Sequence, residues 1–223
     1  VKVKLIAHTP EPERVVASAA RLCYSGAGAL DLKETLTEAE VEKLIKKLIS
    51  LGHLSPFEHA NFTFSIEGIS RACSHQLVRH RIASYSQRSQ RYVNETDFSY
   101  VTPKSIIENE QASLIYVEAI NKIMDAYEQL GKLGIPKEDA RYILPNATKT
   151  KIVCSMNARA LYNFFRLRCC NRAQWEIREL AVKMREEVRK VAPILFAIAG
   201  PSCETEGVCR EGEFSCGYAR KNS

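Results

Sequence analysis

Glycine and proline are scarce in this sequence, with 10 and 8 among 223 residues. No GxGxxG and no GxxxxGK(S/T) phosphate loop occurs, so a nucleotide here would be held by side chains and irregular backbone rather than a glycine cradle. The scarcity of both residues, with 45% hydrophobic content, excludes a low-complexity or disordered chain. No apolar run is long enough to cross a membrane: the longest, 191–200, is half the span required and is broken by Pro193. A basic-then-apolar leader is missing from the first residues, which predicts a cytoplasmic protein. The eight cysteines contain no CxxC pair, and a chain this long does not need a disulfide framework, so neither a metal nor a bridged scaffold is expected. With no repeat and no Gly/Ser linker, the expectation is a single domain over 1–223 with a Cys-containing tail at 200–223.

Acidic residues are missing where bases gather. Residues 68–94 hold no Asp or Glu but carry Arg71, Arg79, Arg81, Arg88 and Arg91. Residues 140–175 hold none either, and carry Arg141, Lys149, Lys151, Arg159, Arg166, Arg168 and Arg172. The rest of the chain sets 20 bases against 26 acids, so an acidic body carries two arginine-rich stretches. The guanidinium is a planar, permanently charged fork suited to phosphate or carboxylate. The pattern predicts a focused anion pocket. Two other readings of the residues stand beside it: a single-strand nucleic-acid surface stacking bases on Tyr85, Tyr92 and Tyr100, and a module organised by Cys203, Cys209 and Cys216.

Alternation over 2–7 and over 61–66 predicts strands, as does 148–155. Thr9 with Pro10 predicts the start of a helix through Leu22. A turn is expected at 25–28. Thr37 and Glu40 form a capping box for a helix that Gly52 ends. Further helices are expected over 69–79, 103–133, 137–142, 157–168 and 174–190. A few strands among long helices predict an α+β fold, the helices packed around a small antiparallel or mixed sheet.

The strongest chemical signal is 79–92, RHRIASYSQRSQRY. Arg79, His80 and Arg81 cannot all face one way on a strand or a helix, so a break there would let one short peptide address two ligands. Ser84, Ser86 and Ser89 supply hydroxyls, Gln87 and Gln90 amides, and Arg88 and Arg91 charge, a set suited to phosphate and to the amide edge of a ring.

Arg79-His80-Arg81, seven residues and then Ser89 resembles the signature of the flavin-dependent thymidylate synthases. HLSPFEH at 53–59, NARALYNFFRLR at 157–168 and AQWEIR at 173–178 agree with it in order, over nearly the whole chain. The resemblance implies a homotetramer that methylates dUMP to dTMP reductively, a methyltransferase with FAD as cofactor and 5,10-methylenetetrahydrofolate and NADPH as co-substrates. No nucleic acid, membrane or metal is implied. Matched positions for FAD are Ser55, Arg79, His80, Arg81, Gln87, Asn157, Arg159 and Asn163. Those for dUMP are Gln76, Arg79, Gln87, Arg88, Ser89, Gln90, Arg91, Arg141 and Arg168. Arg168 matches the arginine that activates the uracil ring, and His53 a histidine near the flavin; these two are the expected catalytic residues. An arginine held against the uracil imide favours its anion, which makes carbon 5 a better nucleophile. Two positions depart from some members: Ser86-Gln87 stands in place of Asn-Glu, and Arg172 in place of His.

Overall fold

The alternating segments become strands and the periodic ones helices in the computed structural model, which describes residues 1–93, 95 and 98–221. In chain order the elements are β1 (Lys2–His8), α1 (Pro12–Leu22), α2 (Ala29–Thr35), α3 (Glu38–Leu51), β2 (Asn61–Ser70), α4 (Arg71–Leu77), β3 (Ser84–Gln87), α5 (Lys104–Ile107), α6 (Glu110–Lys132), α7 (Lys137–Ala140), β4 (Lys149–Asn157), α8 (Ala158–Arg168), α9 (Trp175–Val191), α10 (Ser202–Thr205) and α11 (Tyr218–Lys221). Single 3₁₀ turns occupy Ser55–His59 and Arg141–Ile143. The α+β class is as expected.

The strands form one sheet in the order β1-β2-β4-β3. Its registers are antiparallel: Thr9 N–H donates to Asn61 O (2.9 Å), Ala158 N–H to Ala60 O (2.8 Å), Arg71 N–H to Thr148 O (2.9 Å) and Arg88 N–H to Lys151 O (2.9 Å). Long-range packing divides the chain into two compact units, one of residues 1–2, 66–79 and 86–152, the other of 3–65, 80–85 and 153–223.

The larger unit is built on an aromatic cluster. Phe196 meets Phe62 edge-on at 5.2 Å and Phe165 at 6.1 Å, while Phe57 meets Tyr162 at 5.6 Å. Phe62 and Phe64 are inward positions of β2 in this unit, and Ile66 is the next, in the smaller unit; all three are buried as the alternation predicts. Val16, Ile45, Leu161 and Leu180 bring α1, α3, α8 and α9 onto this core. Each such side chain contributes roughly 1.5–3 kcal/mol on leaving water. The smaller unit buries Ile69, Leu77, Ile120, Tyr127 and Ile152.

Local signals fix most helix ends. Thr37 and Glu40 form the capping box at α3, and Gly52 closes it at φ 69°, where a side chain would be strained. Three expectations need correction. Helix α1 starts at Pro12, not Pro10, because Thr9 is drawn into the sheet, its Oγ1 accepting from Asn61 N–H at 2.9 Å. The helix expected over 103–133 is two, since the Asn109 side chain accepts from Ala112 N–H (3.0 Å) and starts α6 afresh. Helix α2 follows the turn at 25–28 and was not expected.

Candidate active site

In the smaller unit, Ser70 caps α4 and sets Arg71 at its first position. The Arg71 and Ala72 amides donate to Thr148 O and Asn146 O (2.9 and 3.0 Å), which fixes the helix start to the segment before β4. A cavity of about 320 Å³ opens there, lined by Arg71, His75, Gln90, Arg141, Tyr142 and Asn146 among others. Burial lowers the Arg71 pKa first and the neighbouring Arg141 cation lowers it further, while the Glu95 carboxylate, itself paired with Arg88, opposes both. Two guanidinium groups in one recess suit an anionic ligand. Gln90 and Arg141, two of the positions matched for dUMP, thus line one cavity. Arg71 and His75 line it too, and the motif did not point to them; Arg71 was visible only as one charge in the acid-free stretch.

The remaining nucleotide positions are tied in place. Arg91 donates through Nε and Nη2 to Glu138 Oε2 (3.0 and 2.7 Å), and Arg141 Nε donates to the Glu138 carbonyl at 3.1 Å. Ser89 Oγ accepts from Arg91 N–H at 3.2 Å. Arg88 pairs at 3.2 Å with Glu95, itself 4% exposed. Gln87 Nε2 donates to Ser74 Oγ (3.0 Å) and Thr150 Oγ1 (3.2 Å), and Ser74 Oγ–H in turn donates to Arg71 O (2.9 Å). Gln87 is thus the residue type this network needs: Ser74 has already spent its proton, so position 87 must donate. Gln76 is half-buried on α4, and Arg79 is exposed just past its end.

In the larger unit, Asn157 caps α8, its Oδ1 accepting from Ala160 N–H at 2.8 Å. One face of α8 carries Arg159, Asn163 and Arg166 into a cavity of about 570 Å³. Arg159 pairs with Glu58 at 2.5 Å. His53, Ser55 and Arg81 are exposed; Ser55 opens the 3₁₀ turn, His53 precedes it by two residues, and neither lines that cavity.

The end of α8 brings two distant motif residues together. Arg168 Nε donates to His80 Nε2 at 3.0 Å, across 88 positions of sequence. As acceptor, Nε2 carries no proton, so His80 is the neutral Nδ1–H tautomer. Its pKa is lowered from 6.5, first by burial and then by the Arg168 charge, which keeps it neutral. The ring lies edge-on to Phe164 at 4.9 Å, and Tyr85 OH donates to His80 O at 2.9 Å. Arg168 also lines a cavity of about 380 Å³. Among the described residues, Arg71, Arg79, Arg81, Arg141, Arg166, Arg168 and Arg172 make no ion pair, whereas Arg88, Arg91 and Arg159 do. No group of three His, Cys, Asp or Glu among the described residues is placed to hold a metal ion, and no helix there is long and apolar enough to cross a membrane.

The fold is antiparallel α+β, and arginines line cavities in both units. The family model described as thymidylate synthase complementing protein (Thy1) matches residues 4–194. A flavin-dependent thymidylate synthase of Geobacter sulfurreducens is 54% identical over 98% of this chain and 95% of its own length. One of Clostridium tetani is 51% identical over 98% and 94%. Among solved structures, the UMP/dUMP methylase PolB of Streptomyces cacaoi, bound with 5-Br dUMP, matches with a TM-score of 0.76 at 27% identity, over 88% of this chain and 93% of that one. The chain belongs to the flavin-dependent thymidylate synthase (Thy1) family and is a methyltransferase.

Proposed function

We propose that this chain methylates dUMP reductively to dTMP, with FAD as cofactor, 5,10-methylenetetrahydrofolate as carbon donor and NADPH as reductant. The recess holding Arg71 and Arg141 suits a phosphate monoester, with Gln90 lining it, Ser89 and Arg91 flanking Gln90 in sequence, and Gln76, Gln87 and Arg88 completing the proposed set. For the cofactor, the residues present fit a dinucleotide: Arg159 and Asn163 open on the largest of these cavities, and among the described residues Arg79 and Arg81 have no acidic partner. His53, Ser55, His80 and Asn157 complete that set. Bound flavin supplies the hydride that makes the methylation reductive.

The observation that carries this reading is the Arg168–His80 bond. A carboxylate partner would neutralise the guanidinium, whereas a neutral imidazole orients it and leaves its charge whole. Nη1 and Nη2 are then available to the uracil imide, where a full cation favours the anionic ring and raises the nucleophilicity of carbon 5. His53 is the second catalytic residue in this proposal.

The family resemblance extends the reading to a homotetramer acting in the cytoplasm, the chain working as one catalytic module. Exposed Leu114 and Ile115 on α6, at 68% and 63%, offer apolar surface for self-association. The test is Arg168→Ala: turnover collapses while the purified protein keeps its flavin bands, and those bands no longer shift on addition of dUMP. Turnover near that of the unsubstituted enzyme would overturn the role of Arg168.

A further inference from the structure

Thiols that the proposed reaction leaves unused line the Arg168 cavity. Cys170 follows the C-terminal end of α8, Cys203 lies in α10, and Cys209 lies further along the tail. All eight cysteines of the chain are free thiols. The chemistry these sulfurs can share is thiol–disulfide exchange.

Two observations single out Cys170 and Cys203. They share the cavity of about 380 Å³ with Arg166, Arg168, Arg172, Arg210 and Glu211. The Arg172 amide also donates to Cys170 Sγ at 3.5 Å, which fixes the position of that sulfur. The two sulfurs sense each other: the Cys203 thiol is held above its ordinary value by burial first and by negative charge on Cys170 next. With the Arg172 amide against its sulfur, Cys170 is assigned the attack and Cys203 the resolving step.

We propose that Cys170 and Cys203 form a reversible disulfide that ties the C-terminal tail to the end of α8 and controls entry to Arg168. The oxidant is a small-molecule disulfide such as oxidised glutathione. The Cys170 thiolate attacks one of its sulfurs, forming a mixed disulfide and releasing one small thiolate. Cys203 loses its proton to solvent and attacks the Cys170 sulfur, releasing the second. Two protein thiols are oxidised and one small disulfide is reduced to two thiols. Control of turnover rests on the role proposed for Arg168; the linkage itself does not.

The test uses the full chain loaded with flavin, in a Cys216→Ser background, because Cys216 is exposed and a backbone amide and then Asn171 hold its thiol below the ordinary value. After equilibration in glutathione redox buffers, acid quench and alkylation, mass spectrometry should show the loss of two hydrogens and a peptide pair joining Cys170 to Cys203. The pair should be absent from Cys170→Ser and Cys203→Ser and present in Cys209→Ser. Turnover of the oxidised enzyme should fall several-fold and return with dithiothreitol. Glutathione adducts without a cross-link, a link through Cys209, or no oxidation would each overturn the linkage. A confirmed link with unchanged turnover would overturn the control. An Arg168→Ala enzyme with normal turnover would sink the reading of the reaction while leaving the cross-link mass untouched.

Discussion

Replacing His80 separates a positioning role from simple packing. His80→Gln keeps a carbonyl that can accept from Arg168 Nε, whereas His80→Phe keeps the edge contact with Phe164 and removes the acceptor. A hydrogen bond to a charged group is worth about 1.5–3 kcal/mol. If that energy orients Arg168 in the transition state, its loss lowers kcat by roughly 10- to 100-fold. KM for dUMP should move less, because the recess of Arg71 and Arg141 is untouched. The pH profile adds a second readout. The His80 pKa lies below 6.5 in the fold, so the unfolded chain binds more protons just below that value, and stability falls as pH drops from 6.5 through the lowered pKa. Over the same interval imidazolium has no lone pair for Arg168, so turnover declines with it. In His80→Gln the acid limb of kcat should flatten, since an amide does not titrate. Initial rates from pH 5 to 8, with equilibrium unfolding at each pH, read both effects. A His80→Phe enzyme with wild-type kcat would refute the reasoning. So would a double-mutant cycle with Arg168→Lys that shows no coupling.

Gln87→Glu places a carboxylate against a Ser74 oxygen whose proton is committed to Arg71 O, and should cost about 1–3 kcal/mol in urea unfolding. Glu138→Gln frees Arg91 from an exposed ion pair; KM for dUMP should drop by a factor of about two to five with the unfolding midpoint unchanged, the scale expected of such a pair. Phe196→Ala, at the centre of contacts to Phe62, Tyr162 and Phe165, should lose about 3–5 kcal/mol by the same denaturation assay.

Where the sequence was legible, a single local rule decided the outcome. The capping box of Thr37 and Glu40, the left-handed Gly52 and the alternation through Phe62, Phe64 and Ile66 each act within a few residues, and each element formed as expected. Where two rules competed, tertiary context chose. Thr9-Pro10 and Glu11-Pro12 both suit a helix start, and the sheet bonds from Thr9 to Asn61 settled it in favour of Pro12. A periodic apolar face through 103–133 hid the break at Asn109, because periodicity is silent about which polar residue turns its side chain back on the chain. Helix α2 has Gly28 at its start, which has no side chain to cap it, so its cap contact is the Gly28 N–H donating to Asp31 Oδ2 at 3.3 Å. It buries only Leu32, and neither a standard cap residue nor a stripe announces it.

The site divides along the same line. Residue type and the absence of acids within a stretch are properties of the sequence, and they marked both arginine segments; the structure gathers members of each onto a cavity within one unit. What decides the chemistry of each arginine is its partner, and partners come from far along the chain. Arg91 meets Glu138 across 47 positions and Arg159 meets Glu58 across 101, whereas Arg168, across 88, meets a neutral histidine. Identical side chains thus acquire different roles. An exposed arginine holding a carboxylate can trade it for a substrate phosphate at little cost, since both partners keep their water. An arginine oriented by imidazole has no counter-ion to surrender and presents its full charge to whatever enters. On the function proposed above, that difference fits Arg91 to binding and Arg168 to activation, and the pH response of His80, rather than the count of arginines, is the property that tests it.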